Sequence, residues 1–192
     1  MKQFAYLLII IICFSCSEDY KPKPKAELRL EYPEPQYITD SLNLPFTFDK
    51  NLLAEKTTLK PIQSTTKSYG VNLEYPALKG TIFITYKAIE NNTKNLNDFL
   101  KDAQKFTLEH TQKADEIPAY PYENNKRKVY GMLSEVKGNV ASPAQFYVTD
   151  STNHFLTGSI YFYAKPNYDS IYPAAQYLQN DIKRIMESLQ WK

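Results

Sequence analysis

The sequence is poor in the residues from which most catalytic and nucleotide-binding motifs are built. Its 192 residues include 5 Gly, 2 His, 2 Cys and 1 Trp. So few glycines leave little material for phosphate-cradling loops, and neither a Walker-type loop nor a GxGxxG run occurs. Two cysteines cannot staple a disulfide scaffold, and two histidines beside them give no metal site with convergent ligand spacing. An excess of charge is missing as well: 23 Lys+Arg stand against 21 Asp+Glu, a formal net charge of +2. That is not the basic footprint of a nucleic-acid binder, so no nucleic-acid partner is expected. What the chain has in quantity is aromatic surface, 16 Tyr and 10 Phe, too much for a disordered polymer. The length suits one domain with a real core plus a tail.

The one long hydrophobic run, Phe4 to Phe14, follows Lys2. It makes about 16 Å of helix at 1.5 Å per residue, too short to remain as a span of a bilayer core roughly 30 Å thick. A basic start, a short apolar run and a small residue are the parts of a secretory signal peptide. The small residue is Ser15, and Cys16 follows it directly. This arrangement resembles the bacterial lipobox, in which the cysteine is acylated and becomes the mature N-terminus, although Cys13 stands where a lipobox usually carries Leu. A plain secretory signal is the alternative. On the lipobox reading residues 1–15 are removed and 177 remain with a formal charge of +1. Cys16, the one cysteine left, then carries covalent lipid, palmitate among its acyl groups, and no other cofactor is expected. Lys21-Pro22-Lys23-Pro24-Lys25 follows, an alternation that favours extended polyproline II. Residues 16–26 are therefore read as the lipidated cysteine and its tether, and residues 27–192 as a single α+β domain.

Within that domain Leu28, Leu30 and Tyr32 alternate with Arg29 and Glu31 as in a half-buried strand. Phe46–Phe48 is a short second strand, and the polar stretch from Lys56 to Ser68 reads as a loop. Alternation predicts strands over Val71–Tyr75 and Gly80–Lys87, the second with Ile82, Ile84 and Tyr86 on one face. The period then changes to 3.6. Leu96, Phe99, Leu100, Ala103, Phe106 and His110 predict an amphipathic helix from Leu96 to about Lys113, with Asn95 as N-cap and Asp98 as a capping-box acid. Three strands follow near 128–136, 144–149 and 155–164. A last helix starts near Asp169-Ser170 and runs to Trp191-Lys192, with Ile171, Ala175, Leu178, Ile182 and Ile185 in its apolar stripe. This order predicts an α+β fold, an antiparallel sheet covered by two long amphipathic helices.

The inventory for chemistry is thin. His110 falls on the apolar side of the first helix, where a hydrogen-bonded core histidine is the better reading than a metal ligand. His154 stands near Asp150 and Ser151 in a predicted hairpin turn, and three polar residues in one turn are ordinary turn composition rather than a catalytic triad. No catalytic residue and no metal ligand is assigned, and the chain is read as no enzyme. The tyrosines remain. Tyr120, Tyr122, Tyr147, Tyr168 and Tyr172 fall in or near predicted loops and strand ends, while Tyr161 and Tyr163 share one face of the last strand. Tyrosine combines a large apolar ring with a polar tip, which suits protein interfaces. These seven form a candidate interaction surface; a two-sided core with tyrosines at its margins explains them equally well.

Several segments together resemble the gliding motility lipoprotein GldD family of Bacteroidota. They include Glu18-Asp19-Tyr20-Lys21-Pro22-Lys23-Pro24, Leu28-Arg29-Leu30-Glu31-Tyr32-Pro33, Lys113-Ala114-Asp115-Glu116-Ile117, Ala144-Gln145-Phe146-Tyr147-Val148-Thr149-Asp150-Ser151 and Lys165-Pro166-Asn167-Tyr168-Asp169-Ser170. The likeness reaches from the tether almost to the C-terminus and contains no catalytic signature. It implies a non-enzymatic accessory component of the gliding machinery and the linked type IX protein secretion system. Such a component is anchored in the membrane by its lipid and touches other envelope proteins. The expected location is the outer membrane facing the periplasm, with the cell surface as the other possibility. The strand-helix order is similar to the Mog1/PsbP-like αβα sandwich. The competing functional expectation is a lipoprotein that binds a small ligand or polysaccharide in a tyrosine-lined cleft.

Overall fold

The computed structural model describes residues 32–40, 42–109, 114–138, 140–163 and 168–192. The strand expected at Leu28–Tyr32 lies outside these except for its last residue, and His110 lies outside them altogether. The frame is a seven-stranded sheet of order β4-β5-β6-β10-β9-β8-β7, in which every neighbouring pair is antiparallel. Its strands are β4 (Lys56–Pro61), β5 (Ser68–Tyr75), β6 (Gly80–Ala88), β7 (Ala119–Asn124), β8 (Val129–Glu135), β9 (Ala144–Thr149) and β10 (His154–Phe162). Two small ribbons accompany it. β1 (Tyr37–Thr39) pairs with β3 (Asp49–Asn51), and β2 (Phe46–Thr47) pairs with the C-terminal β11 (Gln190–Trp191). The helices are α1 (Thr93–Glu109) and α2 (Tyr168–Ser188).

Strict alternation in the central strands separates the two faces. On β6 and β10 the register sets Ile82 against Ile160 and Tyr86 against Leu156, all buried. The opposite face carries Phe83, Thr85, Thr157, Ser159 and Tyr161 in the same two strands. Helix α2 lies across the first face with Leu178, Ile182 and Ile185 fully buried. Gly80 permits this approach, since a Cβ there would stand 3.0 Å from both Leu178 Cδ1 and Phe162 Cε1. The N-terminal segment completes the cover. Phe46 and Phe48 are each 1% exposed, and the Phe46 ring packs 5.5 Å from that of Tyr86. On the other face α1 contributes a smaller cluster, in which buried Phe99 meets Phe155 at 5.7 Å with Ile89 beside them.

The architecture corrects the expected fold class. The molecule is mostly β-sheet with one wide sheet, and not an antiparallel sheet covered by two long helices. The reason is geometric. Seven strands at about 4.8 Å spacing make a sheet roughly 30 Å wide, whereas a helix with its side chains is about 10–12 Å across. One helix closes its face only because the N-terminal strands fill the remainder. Among the described residues the other helix is alone on its face and leaves much of that sheet uncovered.

Smaller differences have local causes. The polar stretch from Lys56 to Ser68 is a loop only over residues 62–67; Lys56–Pro61 form the edge strand β4, whose mostly exposed residues need no apolar alternation because the edge faces solvent. A second unexpected edge strand, β7, accommodates Pro121, which costs no ladder bond at an edge. Helix α1 begins earlier than expected: Asn92 Oδ1 accepts the Lys94 N–H at 2.9 Å as the cap. Asn95 instead donates to the Ile89 carbonyl, and Asp98 pairs with Lys94 at 2.6 Å. Helix α2 stops at Ser188, and the last residues form β11 rather than a further helical turn.

Candidate functional site

The polar cluster at Asp150–His154 is a turn and not a catalytic constellation. One carboxylate oxygen of Asp150 accepts the backbone N–H groups of Thr152, Asn153 and His154 at 2.8–2.9 Å. His154 is the first residue of β10, and its Nδ1 is paired with the Tyr86 hydroxyl at 2.9 Å. Its ring stacks on Trp191 at 5.1 Å and 7°. Burial lowers the His154 pKa, opposed by the Asp150 charge, and burial pushes the Tyr86 hydroxyl up to about 12. Neutral imidazole and phenol therefore lock the C-terminal strand onto the sheet. Among the described residues no group of His, Cys, Asp and Glu could hold a metal ion.

A second polar cluster was not visible as a pattern. Asp181, on the sheet side of α2, is 1% exposed, and no ion pair to it was found among the described residues. It accepts hydrogen bonds from Tyr37 at 2.7 Å and from Asn51 at 3.0 Å. Tyr177 in turn donates to the Pro33 carbonyl at 3.1 Å. Burial raises the Asp181 pKa, and the bonds from Asn51 and Tyr37 oppose that rise. The Tyr75 hydroxyl is buried in the field of the same carboxylate, without a partner at hydrogen-bond geometry. The network fastens the first described residues to the last helix, so it is a structural rivet between distant parts of the chain. A lone Asp within an apolar helical stripe was its only signal in the sequence.

The tyrosines are spread over the molecule. Tyr161 and Tyr163 meet edge to face at 5.3 Å, and Tyr161 also meets Phe83 at 6.4 Å. Both are exposed, Tyr163 to 66%, on the face that α1 leaves open. Tyr163 is held by its hydroxyl, 3.2 Å from Thr81 Oγ1, and by its N–H to the Lys79 carbonyl. Tyr147 lies on the same face, half-buried and stacked on Phe155 at 5.8 Å and 8°. On the edge strand β7, Tyr120 and Tyr122 stand opposite Leu133 and Gly131 on the packed face, with Tyr122 against the main core. Tyr172 is exposed on α2, where its hydroxyl accepts from Gln176. The side chain of Tyr168 and the whole of Cys16 fall outside the described residues.

Phe83 also forms the border of a cleft of about 510 Å³ between the open face and α1. Phe83, Phe99, Met132, Tyr147 and Phe155 give it apolar walls. Of the six candidate tyrosines whose side chains are described, only Tyr147 lines it.

The family model described as gliding motility lipoprotein GldD matches residues 17–191. No curated protein matches the chain, and no solved structure does either, so the expected likeness to the Mog1/PsbP-like sandwich receives no support. Among the described residues no helix is long and apolar enough to cross a membrane.

Proposed function

Because the chain belongs to the gliding motility lipoprotein GldD family, we propose that it acts without catalysis, as a lipid-anchored accessory component of the gliding and type IX secretion machinery. It does so by docking to other envelope proteins. The single structural observation that carries this reading is the aromatic cluster of exposed Tyr161 and Tyr163 beside half-buried Phe83. Rigid aromatic rings with polar tips give large contact area at small entropic cost, as interface anchors do. Backbone and hydroxyl bonds already fix Tyr163, so little further freedom is lost on docking. The family match begins at Ser17, directly after Cys16, which supports Cys16 as the acylated residue. The anchor then lies in the outer membrane, with the domain in the periplasm.

Pulldown of the lipidated protein from envelopes in mild detergent tests this. Other gliding components are expected with the native chain and at least tenfold less of them with Tyr161→Ser plus Tyr163→Ser. Equal recovery from both proteins contradicts the docking role of the cluster. Cys16→Ala separates anchoring from docking: it is expected to move the protein out of the membrane fraction, and unchanged fractionation contradicts the anchor.

A further inference from the structure

We infer that the cleft between α1 and the open sheet face is a binding site for one acyl chain of an ester-linked membrane lipid. Its volume, about 510 Å³, falls within the roughly 300–1,000 Å³ of ordinary ligand pockets. The inference goes beyond the docking role, which rests on Phe83, Tyr161 and Tyr163, of which only Phe83 borders this cleft; it rests on the proposed lipid anchor for its supply of ligand.

The lining specifies the ligand. Four phenylalanines, Met132 and the stacked Tyr147 wall one part of the cleft, a surface suited to a flexible hydrocarbon. A row of small polar groups crosses the floor next to this part. The strand register sets Ser134 against Gln145 and Gln145 against Ser159, and all three line the cleft. Gln145 is 5% exposed, and its Nε2 is buried without a hydrogen-bond partner. An orphaned amide donor of this kind is costly unless an acceptor reaches it, and the side chain that carries it lines the cleft. The matching ligand group is a carbonyl oxygen beside a long apolar chain.

Charge argues against a free carboxylate. The cation at the border, Lys87, is already held by Asp102 at 3.2 Å and sits 4.7 Å over the Phe99 ring. The remaining lining is uncharged apart from these two groups. A polysaccharide fits poorly as well, because its many hydroxyls would meet mostly apolar walls. An acyl ester meets both requirements, and membrane lipid supplies it wherever a lipoprotein is anchored.

The test uses the mature lipidated protein in phospholipid nanodiscs containing a phospholipid with a diazirine in one ester-linked acyl chain. After irradiation, adducts are mapped by peptide mass spectrometry, and their mass distinguishes the added phospholipid from the protein's own anchor. Adducts are expected on peptides carrying Phe99, Met132, Tyr147 or Phe155. Ser159→Trp, which fills the floor, is expected to reduce them at least tenfold, and Ala103→Trp does the same from the helix side should the first variant fail to fold. The same diazirine chain in ether linkage is expected to label the native protein at least fivefold less. Gln145→Leu is expected to remove that preference. Adducts confined to the tether, or spread over the surface and indifferent to both Trp variants, overturn the site. Equal labelling by ester and ether lipids of native protein overturns the ester assignment.

Discussion

The two faces of the seven-stranded sheet are made by the same strands, residue by alternating residue, and they have opposite fates. Beneath α2, Ile82, Ile84, Leu156 and Ile160 are almost fully buried, and Phe46 and Phe48 close what the helix leaves. On the face of α1 the same strands carry Phe83, Thr85, Thr157, Ser159 and Tyr161, a mixture of rings and hydroxyls around a cleft. Stability is concentrated on the first face, while the second retains accessible aromatic surface. The difference shows that a sheet face is closed by the width of its cover rather than by having a helix. It also shows why Tyr161 and Tyr163 stay exposed where the helical cover is narrow.

The sharpest way to break this comparison is a charge on the packed face. Leu178→Asp buries a carboxylate where the native side chain is 0% exposed and is expected to cost more than about 4 kcal/mol, unfolding the domain by circular dichroism. Next is Asn51→Ala, which leaves Asp181 with fewer donors in a buried site and is expected to lower stability by about 1–3 kcal/mol in urea denaturation. On the open face, Tyr161→Ser removes a ring that is 42% exposed. Its cost is expected within about 1 kcal/mol, by the same measurement. A loss as large as that of Leu178→Asp would erase the distinction between the faces.

The smallest effect concerns pH. His154 has a folded pKa below its ordinary 6.5 because it is desolvated. As pH falls from about 6.5 towards that lower value, the unfolded chain takes up a proton that the folded chain resists, so stability declines. Above about 6.5 the contribution is constant. Thermal melts should therefore show a steeper acid decline in native protein than in His154→Asn, and parallel profiles would remove His154 from the account.

Much of this was legible in residue order. Alternation over Val71–Tyr75 and Gly80–Lys87 located β5, β6 and their buried face, and the apolar stripe of α2 was placed correctly through Leu178, Ile182 and Ile185. Two edge strands were not legible, because β4 and β7 expose most of their residues and lack a one-sided pattern. The extent of cover was hidden for a different reason: an apolar stripe reports that a helix packs, but not how wide a sheet it meets. Alternation already put Tyr161 and Tyr163 on one face, yet tertiary register alone brought Phe83 beside them. The cleft followed from the cover left by α1, and the Asp181 rivet from contacts across some 130–144 residues of chain.

The division of the faces is tested most directly by site-specific photo-crosslinking in living cells. A benzophenone amino acid at Tyr161 on the open face is compared with one at Tyr172, equally exposed on the helix of the packed face. The account predicts protein adducts with other envelope components from position 161 and none from position 172. Adducts from position 172 alone, or from neither position, would contradict it.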